Sequence, residues 1–186
     1  VALMREMPNM TTFVPCDPTE MEKAVFAAAE IDGPVYIRVA RPVCEDITTE
    51  DTPFIPGKAN ILKDGNDVCI ITMGLMVPIA LKAAEMLEAE GISAAVVNMH
   101  TVKPIDAETI LAMNEKCKGI VTAEEHSVIG GLGSAVAEVL AGHAGAKFER
   151  VGIQDKFGKS GKPAELFAAY GLTAENIVEK CKATLA

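Results

Sequence analysis

Val68-Cys69-Ile70-Ile71-Thr72 is an unbroken apolar and β-branched run, the pattern of a strand buried on both faces. Beyond it the spacing becomes helical. Val77, Ala80, Leu81, Ala84 and Leu87 recur at three- and four-residue intervals along Met76–Glu90, and Gly91 ends the segment; these side chains share one helical face. The alternation then repeats. Ala94–Met99 reads as a strand, Asp106 caps a helix to about Cys117 with Ile110, Leu111 and Met113 inward, and Gly119–Ala123 reads as a third strand. A glycine corner leads into a helix over Ser134–Ala141, and Lys147–Ile153 is a fourth strand. Helices near Pro163–Tyr170 and Ala174–Leu185 close the chain, the last capped by Thr173, while Asn60–Lys63 precedes the series as an antiparallel edge. Strands alternating with helices predict an α/β fold: a mostly parallel open sheet with helices on both faces and one antiparallel edge strand.

Residues 1–43 carry a different pattern. Asn9–Cys16 reads as a strand, and Asp17-Pro18-Thr19-Glu20 as a helix start, with an Asp cap, Pro at the first helical position and Glu closing a capping box. Met21, Ala24, Val25 and Ala28 give that helix one apolar face, and Asp32-Gly33-Pro34 turns the chain into a strand over Val35–Val39. This β-α-β unit is too short to bury a core of its own. Pro42 to Pro56, with three prolines and a run of acids, reads as a linker. The expected organisation is therefore an incomplete unit (1–43), a linker (44–55) and a complete α/β domain (56–186). The start at Val1, already in helix-like sequence, marks the chain as a piece of something longer.

Composition narrows the function classes. With 186 residues, 49% of them hydrophobic, the chain can bury one substantial core. Its apolar runs fall far short of the ~20 residues of a membrane span, and no signal-peptide pattern precedes them. The net charge of −9 argues against nucleic acid as a partner, because phosphate neutralisation needs clustered Lys and Arg. Cys16, Cys44, Cys69, Cys117 and Cys181 are widely spaced and odd in number, the pattern of reduced thiols in a cytoplasmic protein.

Two places carry candidate chemistry. At Val121–Glu138 a strand runs into Glu124, Glu125 and His126, and Gly130, Gly131 and Gly133 then open a helix. The third glycine of a dinucleotide fingerprint is missing. The glycines serve either an anion at the helix N-terminus or close helix–sheet packing. Glu124 and Glu125, adjacent on a strand, point to opposite faces and cannot both serve one site; these acids and His126 belong to an interface or a site mouth as readily as to catalysis. The second place is Arg38-x-x-Arg41, at the end of the strand Val35–Val39. Two arginines there suit bidentate recognition of phosphate or carboxylate; the competing reading pairs them with linker acids such as Glu45 and Asp46. Gly158-Lys159-Ser160-Gly161-Lys162 lacks the spacing and preceding strand of a phosphate-binding loop and reads as a mobile or partner-covered segment. The three histidines, His100, His126 and His143, have no metal-ligand spacing.

Taken in order, several segments resemble the C-terminal portion of transketolase-type thiamine-diphosphate enzymes. They are Pro8-Asn9-Met10 with Val14-Pro15-Cys16-Asp17, and Gly33-Pro34-Val35-Tyr36-Ile37-Arg38-Val39-Ala40-Arg41. Val97-Asn98 with Val102-Lys103-Pro104-Ile105-Asp106, the glycine corner, and Phe157-Gly158-Lys159-Ser160-Gly161 follow. The resemblance spans essentially the whole chain. The superfamily also holds 1-deoxyxylulose-5-phosphate synthase and 2-oxoacid dehydrogenase E1β chains; the Phe-Gly-x-Ser-Gly stretch looks most like transketolases split into two shorter chains.

The resemblance implies that residues 1–43 are the tail of a pyrimidine-binding domain and 56–186 a C-terminal domain. It implies that the carboxylate acting on the aminopyrimidine ring lies before Val1, and that Mg²⁺ and diphosphate are held by another domain. Thiamine diphosphate and Mg²⁺ would then serve the intact enzyme, with this chain binding neither and contributing no catalytic residue. Arg41 matches the arginine that transketolases direct to the sugar phosphate, and Arg38 the first arginine of the synthase pattern. The implied reaction is two-carbon ketol transfer between sugar phosphates. The implied partners are a second copy, as a homodimer, or an N-terminal transketolase half, and the chain alone would be inactive. The same portion of the synthase or of an E1β chain, and a stand-alone binding or oligomerisation module, are the alternatives.

Overall fold

The computed structural model describes residues 1–186. The chain opens with α1 (Ala2–Glu6), β1 (Thr11–Phe13), α2 (Pro18–Ala29) and β2 (Val35–Ile37). β3 (Asn60–Lys63), β4 (Val68–Thr72), α3 (Met76–Ala89), β5 (Ala94–Asn98), β6 (Thr101–Lys103) and α4 (Ala107–Lys116) follow. β7 (Gly119–Ser127), α5 (Leu132–Leu140), β8 (Lys147–Ile153), α6 (Pro163–Ala169) and α7 (Ala174–Leu185) complete it.

The main sheet has the order β3-β5-β4-β7-β8, parallel throughout except for β3, which runs antiparallel to β5. β4 shows why its sequence is apolar at every position. Val68 and Ile70 pack toward α3 and α7, and Cys69 and Ile71 toward α4 and α5, because successive strand residues face opposite ways. The expected fold class is the observed one: a mostly parallel sheet, helices on both faces and one antiparallel edge.

A second sheet, β2-β1-β6, joins the β-α-β unit to the rest. β1 is parallel to β2 and antiparallel to β6. β6 was not expected; it is three residues long and its partner lies some ninety positions away in the chain. Three other expectations shift. The first strand is only Thr11–Phe13, since Asn9 takes a left-handed φ of 57° and Pro15 has no N–H to donate. β2 ends at Ile37, although the Arg38 amide still donates to Phe13 O (2.8 Å). β7 runs four residues past Ala123, through Glu124, Glu125 and His126, because Ser127 pairs with Ile153 of β8.

The segment 47–59 is pinned at both ends by helix-capping aspartates. Asp17 caps α2 through the Glu20 amide (2.7 Å) and also accepts from the Ile47 amide, the Thr48 amide and the Thr48 hydroxyl. Asp106 caps α4 through Thr109 and accepts from the Ala59 amide (2.9 Å). Between them Phe54 stacks on the buried ring of His100 (centroids 4.2 Å apart) and meets Phe13 edge-on (5.1 Å). Burial holds His100 down to about 4, so it stays neutral at neutral pH.

Asp17 has a testable signature. Burial works to raise its pKa, but the hydrogen bonds from Glu20, Thr48 and Ile47 outweigh it and leave the carboxyl below its ordinary value. A lowered folded pKa contributes stability that is complete above the ordinary carboxylate range and lost as pH falls through the folded value. Asp17→Ala is therefore expected to cost about 2 kcal/mol at neutral pH. Melting curves of the two proteins should converge in acid; a deficit independent of pH would contradict the assignment.

Candidate functional site

Where β2 ends, the chain turns away from the sheet and exposes Val39–Val43 beside the carboxyl end of β7. A cleft of about 800 Å³ opens here, lined by Arg38, Arg41 and Glu125 on one side and by Lys159 and Lys162 on the other segment. Leu75, Ile153, Leu166, Phe167 and Leu172 supply its apolar surface. An apolar cleft with a few converging charges at strand ends is the usual form of a small-molecule site in α/β proteins.

The two arginines differ in their commitments. Arg38 is three-quarters buried at its side chain and paired with Glu125, Nη2 to Oε2 at 3.3 Å, while Nη2 also donates to the Glu125 carbonyl (3.1 Å). Arg41 is exposed and takes part in no ion pair, and neither arginine meets Glu45 or Asp46. Its guanidinium is therefore free to receive an anion with two parallel N–H donors.

Glu125 thus lies at the mouth of the cleft, but Glu124 does not. Its side chain is fully buried and points the other way, at the first turn of α5. Oε2 accepts from the Leu132 amide (2.7 Å) and Oε1 from the Gly133 amide (2.8 Å). The anion at this helix N-terminus is the protein's own carboxylate, so the corner is closed to an external one. The glycines make this possible. A Cβ on Gly131 would collide with Glu124 Oε2, and one on Gly133 would stand 2.7 Å from the Arg150 side chain. Burial raises the Glu124 pKa above its ordinary value, with the two amides pulling against it. His126 sits beside the pair, Nδ1 donating to Ser127 O (2.8 Å) and lying 3.7 Å from Glu124 Oε2; burial lowers its pKa. Glu124, Glu125 and His126 are neighbours in sequence but do not form one constellation.

Lys159 and Lys162 were not among the residues expected here. Their segment runs along the cleft because the Tyr170 hydroxyl holds the Phe157 carbonyl (2.8 Å). Tyr170, the C-cap of α6, follows that loop by eight residues in the sequence. No group of three or more His, Cys, Asp and Glu side chains is arranged to hold a metal ion, and the cleft's cations do not suit a divalent cation. The residues present do not build a Mg²⁺–diphosphate site. No helix is long and apolar enough to cross a membrane.

Residues 57–177 match the family model for the transketolase C-terminal domain. A 6-deoxy-6-sulfo-D-fructose transketolase subunit of Clostridium sp. (strain MSTE9) is 46% identical over 96% of this chain and 55% of its own length. A Methanocaldococcus jannaschii protein named as a transketolase C-terminal section is 46% identical over 97% of this chain and 57% of its own. A 1-deoxy-D-xylulose-5-phosphate synthase of Symbiobacterium thermophilum is 37% identical over the whole chain but only 29% of the relative. Among solved structures, a split-gene transketolase described as an inactive β4 tetramer superposes with a TM-score of 0.96 at 49% identity, covering 99% of this chain and 60% of that one. The chain therefore spans little more than half the length of the first relatives it matches.

Proposed function

The chain belongs to the transketolase family, as a C-terminal section, and we propose that in the intact enzyme its cleft receives the anionic end of a sugar phosphate during two-carbon ketol transfer. The observation that carries this reading is Arg41: an unpaired guanidinium at the carboxyl end of β2, in a cleft whose other arginine is already engaged by Glu125. In the intact enzyme thiamine diphosphate supplies the carbanion chemistry, held by parts of the protein outside this chain. What these residues contribute is position. A phosphate held by Arg41 fixes the far end of the sugar, and that remote binding energy orients the reacting carbonyl. Residues 1–43 are read as the tail of a pyrimidine-binding domain, 44–55 as a linker and 56–186 as the C-terminal domain. A second copy or an N-terminal half is the proposed partner, and the chain alone is proposed to be inactive.

The test is a coupled assay of the intact enzyme with thiamine diphosphate and Mg²⁺. Xylulose 5-phosphate and ribose 5-phosphate together should release glyceraldehyde 3-phosphate. Turnover of pyruvate with glyceraldehyde 3-phosphate, and none with the two pentose phosphates, would transfer the chain to the synthase branch.

A further inference from the structure

Acids outnumber bases in this chain, 26 to 17, and six of its thirteen lysines are paired with them. Lys58, Lys63, Lys116, Lys118, Lys180 and Lys182 each meet a carboxylate. Lys159 and Lys162 meet none, and they line the same cleft as the unpaired Arg41. Three uncompensated cations on one cleft repel one another, which an anion between them would offset. The loop that carries the lysines is tied down: the Tyr170 hydroxyl donates to Phe157 O, and the Lys162 amide donates to Glu165 Oε2 (3.2 Å). Gly158 lines the same cleft, and a Cβ there would meet nothing.

We propose that Lys159 and Lys162 form the second wall of the anion site, contacting the same phosphate group that Arg41 receives. Tyr170 is a positioning residue that holds this wall in place. The proposal rests on the reading of Arg41 given above and extends it to a loop from the far end of the chain. One arginine provides a directional fork; two lysines add charge without fixed geometry. Together they favour a dianionic phosphate over a neutral sugar end.

The experiment is steady-state kinetics of the intact enzyme with ribose 5-phosphate and with ribose as acceptors. Lys159→Ala/Lys162→Ala should raise the KM and lower kcat/KM for ribose 5-phosphate about tenfold, with far less effect on the reaction of ribose. Tyr170→Phe, which keeps both charges, should give a smaller rise of the same selectivity. A double variant with the wild-type KM for ribose 5-phosphate, measured beside an Arg41→Ala that raises it, overturns the loop assignment while the Arg41 reading stands. A selective double variant beside a silent Arg41→Ala keeps the lysines and overturns Arg41. Loss of subunit assembly by light scattering at unchanged KM would assign the lysines to an acidic partner surface and overturn the proposal.

Discussion

Replacing Gly131 by Ala is expected to destabilise the protein by roughly 2–4 kcal/mol, a fall in melting temperature of roughly 5–15 °C for a domain of this size. The added Cβ would occupy the place of Glu124 Oε2, and the carboxylate cannot simply swing away. It is fully buried, and its two oxygens satisfy the Leu132 and Gly133 amides. Displacing it strands two buried donors and a buried acid together. Gly158→Ala is the control, since a Cβ there meets nothing; it should melt with the wild type. If Gly131→Ala also melts with the wild type, Glu124 does not fill the corner as described.

Arg41→Ala should have the largest effect on activity. Loss of a charge-assisted contact to phosphate corresponds to roughly a tenfold to hundredfold rise in KM for phosphorylated acceptors. kcat for those acceptors should fall as well, because the lost contact also orients the reacting carbonyl, while thiamine diphosphate affinity should change little. Because Arg41 has no ion pair, its removal strands no partner, and folding stability should be unaffected. Arg38→Ala is a less clean experiment: it leaves Glu125 unpaired at the cleft mouth. Arg41→Lys should recover only part of the affinity, since a lysine keeps the charge but loses the fork. Equal losses for phosphorylated and unphosphorylated acceptors would remove Arg41 from phosphate recognition.

How much of this could be read from residues alone follows from the range of the interactions. β4 and α7 coincide with their sequence patterns because burial on both faces, and a Thr cap with an apolar stripe, are local signals. β6 escaped because its only reason to be extended is β1, a distant partner. The end of β7 escaped for a related reason. Glu124-Glu125-His126 looks like the polar start of a loop, yet Glu124 is capping a helix that begins eight residues later. In the cleft, Arg38 and Arg41 were legible as cations at a strand end. Which of them is free was not, since that depends on Glu125, whose side of β7 is set by strand register. Lys159 and Lys162 were legible only as a loop, because no local pattern links them to residues some 120 positions earlier.

The most direct measurement of the central claim is a crystal structure of the intact enzyme with ribose 5-phosphate bound. The account predicts the phosphate in the cleft at the end of β2, with its oxygens about 3 Å from the Arg41 guanidinium. A phosphate held elsewhere, with Arg41 pointing into solvent or bound to an acid of the partner chain, would contradict it.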